Sequence, residues 1–271
     1  MYESTEFNIS TIQPFMALNS VRFNEHAQGT MGISHFYSFR TDSDKDTEIT
    51  QLPDSCSYFI FEYRQKKCSS FVIGNSAARR TFTAEKNAVH FIVRFLPGEN
   101  PCFEKINPRE LAERKEELEN FSFMHSLVKK MAVQSTFEDR ISTFLSESRK
   151  LREAQVSSGR LLFRQIIQLI LSKKGILRIS ELEKLTGYSA RYINHIFESQ
   201  TGMSAKQFCN IVKLQFIIKE LSEENVQFFS KLSQAYRFYD QAHFIHEFKN
   251  FTGLTPGEYM NVIKNSPSMT A

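Results

Sequence analysis

Arg191 and Asn194 stand one helical turn apart, and His195 follows directly. The apolar spacing around them predicts a helix whose buried side carries Tyr192 or Ile193, then Ile196 and Phe197. Arg191, Asn194, His195 and Glu198 fall away from that side. A guanidinium at a helix start and a carboxamide one turn later can reach base edges in the major groove of a DNA duplex. These residue types therefore point to hydrogen-bond readout of nucleic acid. Taken alone, the face could equally be an ordinary solvated helix surface.

The elements that would hold this face occur twice. Gly187-Tyr188-Ser189-Ala190-Arg191-Tyr192-Ile193-Asn194-His195-Ile196-Phe197 leads to Thr201-Gly202-Met203-Ser204. Arg237-Phe238-Tyr239-Asp240-Gln241-Ala242-His243-Phe244-Ile245-His246-Glu247-Phe248 leads to Thr252-Gly253-Leu254-Thr255. Phe197 and Phe248 are 51 residues apart (248 − 197), as are Gly202 and Gly253, and Phe208 and Tyr259. Each copy reads as helix, turn, helix and glycine stop. Ser180 and Glu183 form a capping-box pattern that predicts a helix over 181–186, turning at Gly187, a residue that tolerates a positive φ. Ser189 can cap the next helix. Ser204-x-x-Gln207 and Thr255-x-x-Glu258 predict two further helix starts, the second with Pro256 in its first turn. The helix over 205–221, apolar at Phe208, Val212, Phe216 or Ile217, and Leu221, reads as a stiff bridge between the units. Two tandem helix-turn-helix units offer two short helices to one face of DNA, which makes a DNA-binding regulator the leading reading. The repeat also raises the functional standing of His195 and His246 above that of solvated histidines.

The residues Gly187-Tyr188-Ser189-x-x-Tyr192-Ile193-x-x-Ile196-Phe197-x-x-x-x-Gly202 resemble the AraC/XylS family of bacterial transcription regulators. So does Phe238-x-Asp240-Gln241-x-His243-Phe244-x-x-x-Phe248-Lys249-x-x-x-Gly253-x-Thr255-Pro256-x-x-Tyr259, the more specific block. The resemblance covers residues 179–259. It implies two recognition helices in successive major grooves, about 34 Å apart. By position it assigns base contacts to Arg191, Asn194 and His195 in the first helix, and to Gln241, Ala242, Ile245 and His246 in the second. Ser189 and Lys249 are the implied phosphate contacts, which position without specifying. Arg237 stands where the family has a turn glycine, so that turn must be strained or differently shaped. Ala242 and Ile245 are poor polar readers, although Ile245 can contact a thymine methyl, so the first helix should carry more specificity. The implied partners are double-stranded promoter DNA and RNA polymerase, with activation the expected sign.

Residues 33–96 have a different texture. Four stretches, 33–39, 56–63, 70–73 and 88–95, alternate and are rich in aromatic and β-branched residues, which predicts strands. Polar loops, including 41–48 and the Pro53-Asp54 turn, separate them. From Pro108 onward the pattern predicts helices only. One, capped by Thr136, carries Phe137, Ile141, Phe144 and Leu145 on a face that is either a dimer seam or core packing. Another, over 160–174, presents Leu161, Leu162, Ile166, Leu169 and Ile170. A hinge is expected over 154–159. This half also resembles a sensor domain found in part of the same family, through Leu52-Pro53-Asp54-Ser55-Cys56-x-x-Phe59-Ile60-Phe61, Gly74 and Val93-Arg94-Phe95-Leu96-Pro97-Gly98. That resemblance implies a small β-barrel or cupin-like fold followed by helices that often mediate dimerisation. The expected fold class is thus α+β. Residues 1–155 form a ligand-sensing or dimerisation domain, and residues 160–271 an all-α DNA-binding domain of two helix-turn-helix motifs joined by a long helix.

Composition agrees. The 271 residues are 41% hydrophobic and 24% charged, with 26 Phe for the cores, which suits a globular protein of one large or two ordinary domains. The net charge of +4 is compatible with nucleic acid. Met1–Ser10 does not read as a signal peptide, and 161–171 is too short and polar to span a membrane, so a cytoplasmic protein without membrane contact is expected. Cys56, Cys68, Cys102 and Cys209 show no Cys-x-x-Cys pair, which disfavours a disulfide framework. Cys56 and Cys68 lie in neighbouring strand segments where a pair is conceivable, but buried inert thiols are the default. His35 and His90 lack the His-x-His spacing of a metal-binding cupin, so neither metal nor cofactor is expected. Beside the reading as a regulator with a small-molecule effector stand two others. One is a regulator controlled only by protein interaction or homodimer formation. The other is a DNA-repair enzyme with a nucleophilic cysteine, disfavoured because the four cysteines have no clustered spacing.

Overall fold

Alternation sends neighbouring side chains to opposite faces of a sheet, and here both faces are buried. A computed structural model describes residues 13, 15, 22–42, 44–65, 67–100, 107–111, 114–151, 158–222 and 229–264. The strands are β1 (Arg22–Ala27), β2 (Ile33–Arg40), β3 (Thr47–Gln51), β4 (Ser57–Arg64), β5 (Lys67–Ile73), β6 (Arg80–Ala84), β7 (Val89–Phe95) and β8 (Lys115–Glu117). Six form an antiparallel sheet in the order β1-β2-β7-β4-β5-β8, and β3 pairs with β6 as a separate ribbon. Phe36, Phe59, Phe61, Phe91, Val93 and Phe95 share one face. Tyr37, Phe39, Tyr58, Ile60 and Ile92 share the other, against Ile49, Phe82 and Ala84 of the ribbon.

After a single helical turn, α1 (Pro108–Leu111), come α2 (His125–Met131) and α3 (Phe137–Leu151), which cover the first face. Phe144 of α3 is fully buried, with the rings of Phe36, Phe59, Phe61 and Phe95 centred 5.9 to 6.3 Å away. Burying such a ring contributes about 1.5–3 kcal/mol. Phe137, Ile141 and Leu145 pack on the same core, so the apolar side of α3 is used inside the domain and is not free for a dimer seam. Thr136 caps α3 as expected, its Oγ1 accepting from Asp139 N at 3.1 Å. The expectation of helices only beyond Pro108 is corrected by β8. Its Lys-Glu-Glu run has no apolar alternation, and backbone pairing with Phe71–Ile73 creates the strand.

The helical half comprises α4 (Ser158–Ser172), α5 (Ile179–Thr186), α6 (Ala190–Thr201), α7 (Ala205–Ser222), α8 (Phe229–Ala235), α9 (Gln241–Thr252) and α10 (Pro256–Lys264). Residues 154–157 of the expected hinge lie outside the described residues, and Ser158 and Gly159 are already helical. In α4 the buried residues are Phe163, Ile166, Ile167 and Ile170, whereas Leu161 is half exposed. The helix α7 is buried on more sides than its apolar stripe predicts, including Ile211, Leu214, Gln215 and Ile218. The added cover comes from the β-rich half. Leu52 packs with Leu214, Ile217 and Ile218, and Pro53 O accepts from Gln215 Nε2 at 2.7 Å.

The segment that makes this contact is anchored by charge. Asp54 and Arg94 are buried and paired, with Arg94 Nη2 to Asp54 Oδ2 at 2.6 Å. Tyr58 OH and Gln13 Nε2 also donate to Asp54, while Tyr37 OH accepts from Arg94 at 3.3 Å. Burial pushes the Tyr37 hydroxyl up to about 12, so it remains a neutral hydrogen-bonding group. Removing one partner of a buried pair leaves an uncompensated charge. Asp54→Ala is expected to lower the unfolding free energy by about 3–5 kcal/mol in urea titration. A loss well under 1 kcal/mol would show that Arg94 finds solvent or another anion instead.

Candidate nucleic-acid interface

The first unit is built as a chain of caps. The helix α5 begins at Ile179, ahead of the expected start, with Arg178 N donating to Glu181 Oε2 at 2.7 Å. Ser180 therefore lies inside the first turn and is not the cap. Glu183, its expected partner, accepts instead from Ala190 N at 2.6 Å and so ties α5 to the start of α6. Gly187 takes φ +75°, and its N–H bonds to Glu183 O at 2.9 Å. Ser189 caps α6 by accepting from Tyr192 N at 3.3 Å. Ile193, Ile196 and Phe197 face the core, where Phe197 meets Phe163 at 5.0 Å and Phe208 at 5.3 Å between ring centroids. Gly202, at φ +74°, stops the helix.

The second unit repeats the plan. Asp240 caps α9 by accepting from His243 N at 2.7 Å, and Gly253 stops it at φ +81°. Phe248 meets Tyr259 at 5.7 Å, the same contact as Phe197 with Phe208. Thr201 and Thr252 are both buried, and each hydroxyl returns to the carbonyl of the Phe four residues earlier. Of the three predicted capping boxes, the two that open α7 and α10 form. Ser204 N donates to Gln207 Oε1 and Gln207 N to Ser204 Oγ, while Thr255 N donates to Glu258 Oε2 and Glu258 N to Thr255 Oγ1. The second turn differs as anticipated. Arg237 occupies the left-handed region at φ +52°, and Phe238 N reaches back to Ser233 O at 2.9 Å. That conformation strains a residue with a Cβ by about 1–2 kcal/mol.

The residues proposed for DNA divide by exposure. Arg191, His195, Gln241, Ala242, His246, Ser189 and Lys249 are exposed. Ile245 is half-buried against the second unit's core. Asn194 is also half-buried, and its Oδ1 accepts from Ala205 N at 3.1 Å, adding to the cap of α7. Of the two residues expected to open the buried side of α6, Ile193 is buried and Tyr192 is exposed, and the exposed Tyr188 and Tyr239 were passed over. Tyr188 and Tyr192 are 44% and 43% exposed, with rings 5.2 Å apart, and Tyr239 is 92% exposed. The repeat contained the signal, since Tyr188 maps onto Tyr239 (239 − 188 = 51).

In the β-rich half, burial takes His35 and His90 down to about 4, which leaves both neutral near pH 7. Among the described residues no three His, Cys, Asp or Glu side chains cluster as a metal site. Cys56 and Cys68 do not form the conceivable pair. They sit at opposite ends of the β4–β5 hairpin and on opposite faces of its sheet. Burial raises the Cys68 thiol to about 11 and that of Cys209 to about 12. Cys102 lies outside the described residues.

Tandem helix-turn-helix units with matched caps, matched glycine stops and matched aromatic locks define a DNA-binding protein. Residues 182–261 match a helix-turn-helix domain family, and residues 30–117 match a domain family of unknown function. The chain thus carries a DNA-binding helix-turn-helix domain, and its sequence blocks resemble those of the AraC family of transcription regulators. No curated protein matches it. Among solved structures, the P21 form of ToxT from Vibrio cholerae is similar at 10% identity over 89% of this chain and 98% of its own, with TM-score 0.43. ToxT from Vibrio cholerae O395 is similar at 11% over 90% and 98%, with TM-score 0.42. Likeness at this level sets no residue-by-residue correspondence. Among the described residues no helix is long and apolar enough to cross a membrane.

The position of Asn194 generates a prediction. Asn194→Ala should lower stability by about 0.5–2 kcal/mol, as loss of a cap does. Urea titration checks this, and unchanged stability would return Asn194 to the simple reader it was expected to be.

Proposed function

We propose that this regulator reads promoter DNA with α6 and α9 in successive major grooves. The observation that carries the reading is the 51-residue repeat, realised as two capped helices with equivalent exposed faces. Arg191 and His195 lead the base contacts of α6, with Asn194 sharing its carboxamide with α7. Gln241, Ala242 and His246 line α9, and Ile245 offers a half-buried apolar edge. Ser189 and Lys249 meet phosphates. The exposed residues Tyr188 and Tyr239, at equivalent turns, fit the same backbone role.

Residues 1–155 act as the regulatory domain and residues 160–271 as the DNA-binding domain. A small-molecule effector on the first changes how the second is presented, which requires that the effector prefer one of two states. Activation through RNA polymerase in the cytoplasm is the outcome this reading assigns. A dimer seam on α3 would have to use its outward side, because its apolar side is buried on the sheet.

The test is capture of genomic fragments by the purified chain at near-physiological salt, since basic proteins bind any DNA at low salt. The expected result is a shared motif. On that motif Arg191→Ala should cost about 1–3 kcal/mol and relax specificity, and Ile245→Ala should cost less. Absence of a motif with and without cell extract would contradict the proposal, and a larger loss from Ile245→Ala would reverse the ranking of the helices.

A further inference from the structure

The turn between β5 and β6 touches both proposed recognition helices at equivalent places. Asn75 Nδ2 donates at 2.5 Å to the carbonyl of Thr201, the last residue of α6, and both residues are buried. Four residues on, the Arg79 guanidinium lies against Gly253, the glycine that stops α9. A Cβ at Gly253 would stand 2.8 Å from Arg79 Cζ and Nη1. Thr201-Gly202 and Thr252-Gly253 correspond in the repeat (253 − 202 = 51). Between the two contacts, Ala77 packs against the core of the first unit. The chemistry suits both ends. The last carbonyls of a helix lack intrahelical donors and carry partial negative charge, so an amide N–H and a cation are favourable there.

We infer that residues 75–79 are a clamp that fixes α9 relative to α6, with Asn75 and Arg79 as positioning residues for DNA reading. Two helices joined through α7 can enter one duplex only when their separation and rotation match its helical repeat. A segment of the β-rich half that holds both helix ends sets that match. Any change of state in the β-rich half that shifts this turn then alters the DNA spacing the protein accepts. The inference rests on reading α6 and α9 as the recognition helices.

The first test needs no DNA. Ser199 and Asn250 are exposed and equivalent in the repeat (250 − 199 = 51), so S199C and N250C can carry spin labels in a full-length C68S, C102S background. Pulsed electron-spin distance measurement should give one narrow distribution. Arg79→Ala should broaden or split it, and Asn75→Ala with Arg79→Ala more so. Arg79 is exposed, so its single variant remains informative even if loss of buried Asn75 impairs folding. An unchanged distribution in the folded variants would overturn the clamp while leaving the DNA-reading proposal intact. The second test is selection from random duplexes. The parent should enrich two elements at one spacing, and Arg79→Ala the same two elements over several spacings. Retention of the single spacing would likewise overturn the clamp.

Discussion

The buried ion pair between Asp54 and Arg94 anchors two of the segments through which the β-rich half meets the helical half. Its electrostatics are demanding, because two charges removed from water must satisfy each other and their remaining hydrogen-bonding capacity. Here Tyr58, Gln13 and Tyr37 complete the set. Each partner lies at the head of a segment that ends on the helical half. On one side, Leu52, Pro53 and Ser55 flank Asp54 and reach the α7 core, Gln215 and Met203. On the other, the chain leaves Arg94 through Gly98, which fits closely against the Phe163 ring, and Glu99, which pairs with Arg160 and Arg164 of α4. Short, packed connections therefore link the pair to α4 and α7.

The helix α7 packs in both cores, through Phe208 and Val212 in one and Leu214 and Ile218 in the other. The helices α6 and α9 are each begun by an oxygen cap and ended by a left-handed glycine, so their length and direction are set locally. The β-rich half contacts α4, α6, α7 and the end of α9, and so touches both units.

Much of this was legible in the sequence because it is local. Caps, glycine stops and the aromatic positions of the repeat depend on neighbours within a few residues, and Ser189, Gly202, Ser204, Gly253 and Thr255 behave as read. The strained turn at Arg237 was legible for the same reason. Long-range pairing was not. The strands β1, β3, β6 and β8 lack strong apolar alternation and exist through partners elsewhere in the chain. Asn194 carries a base reader's side chain, yet Ala205 N, eleven residues on, engages it. The motifs around Asp54 and Arg94 stood out by resemblance, but their meeting across 40 residues needed the sheet.

The most direct measurement is hydroxyl-radical footprinting of the full-length chain on a DNA fragment it selects. The account predicts two protected patches on one face of the duplex, about 34 Å apart, matching successive major grooves. A single patch that persists when the second recognition helix is altered would contradict it, because only one unit would then be reading DNA.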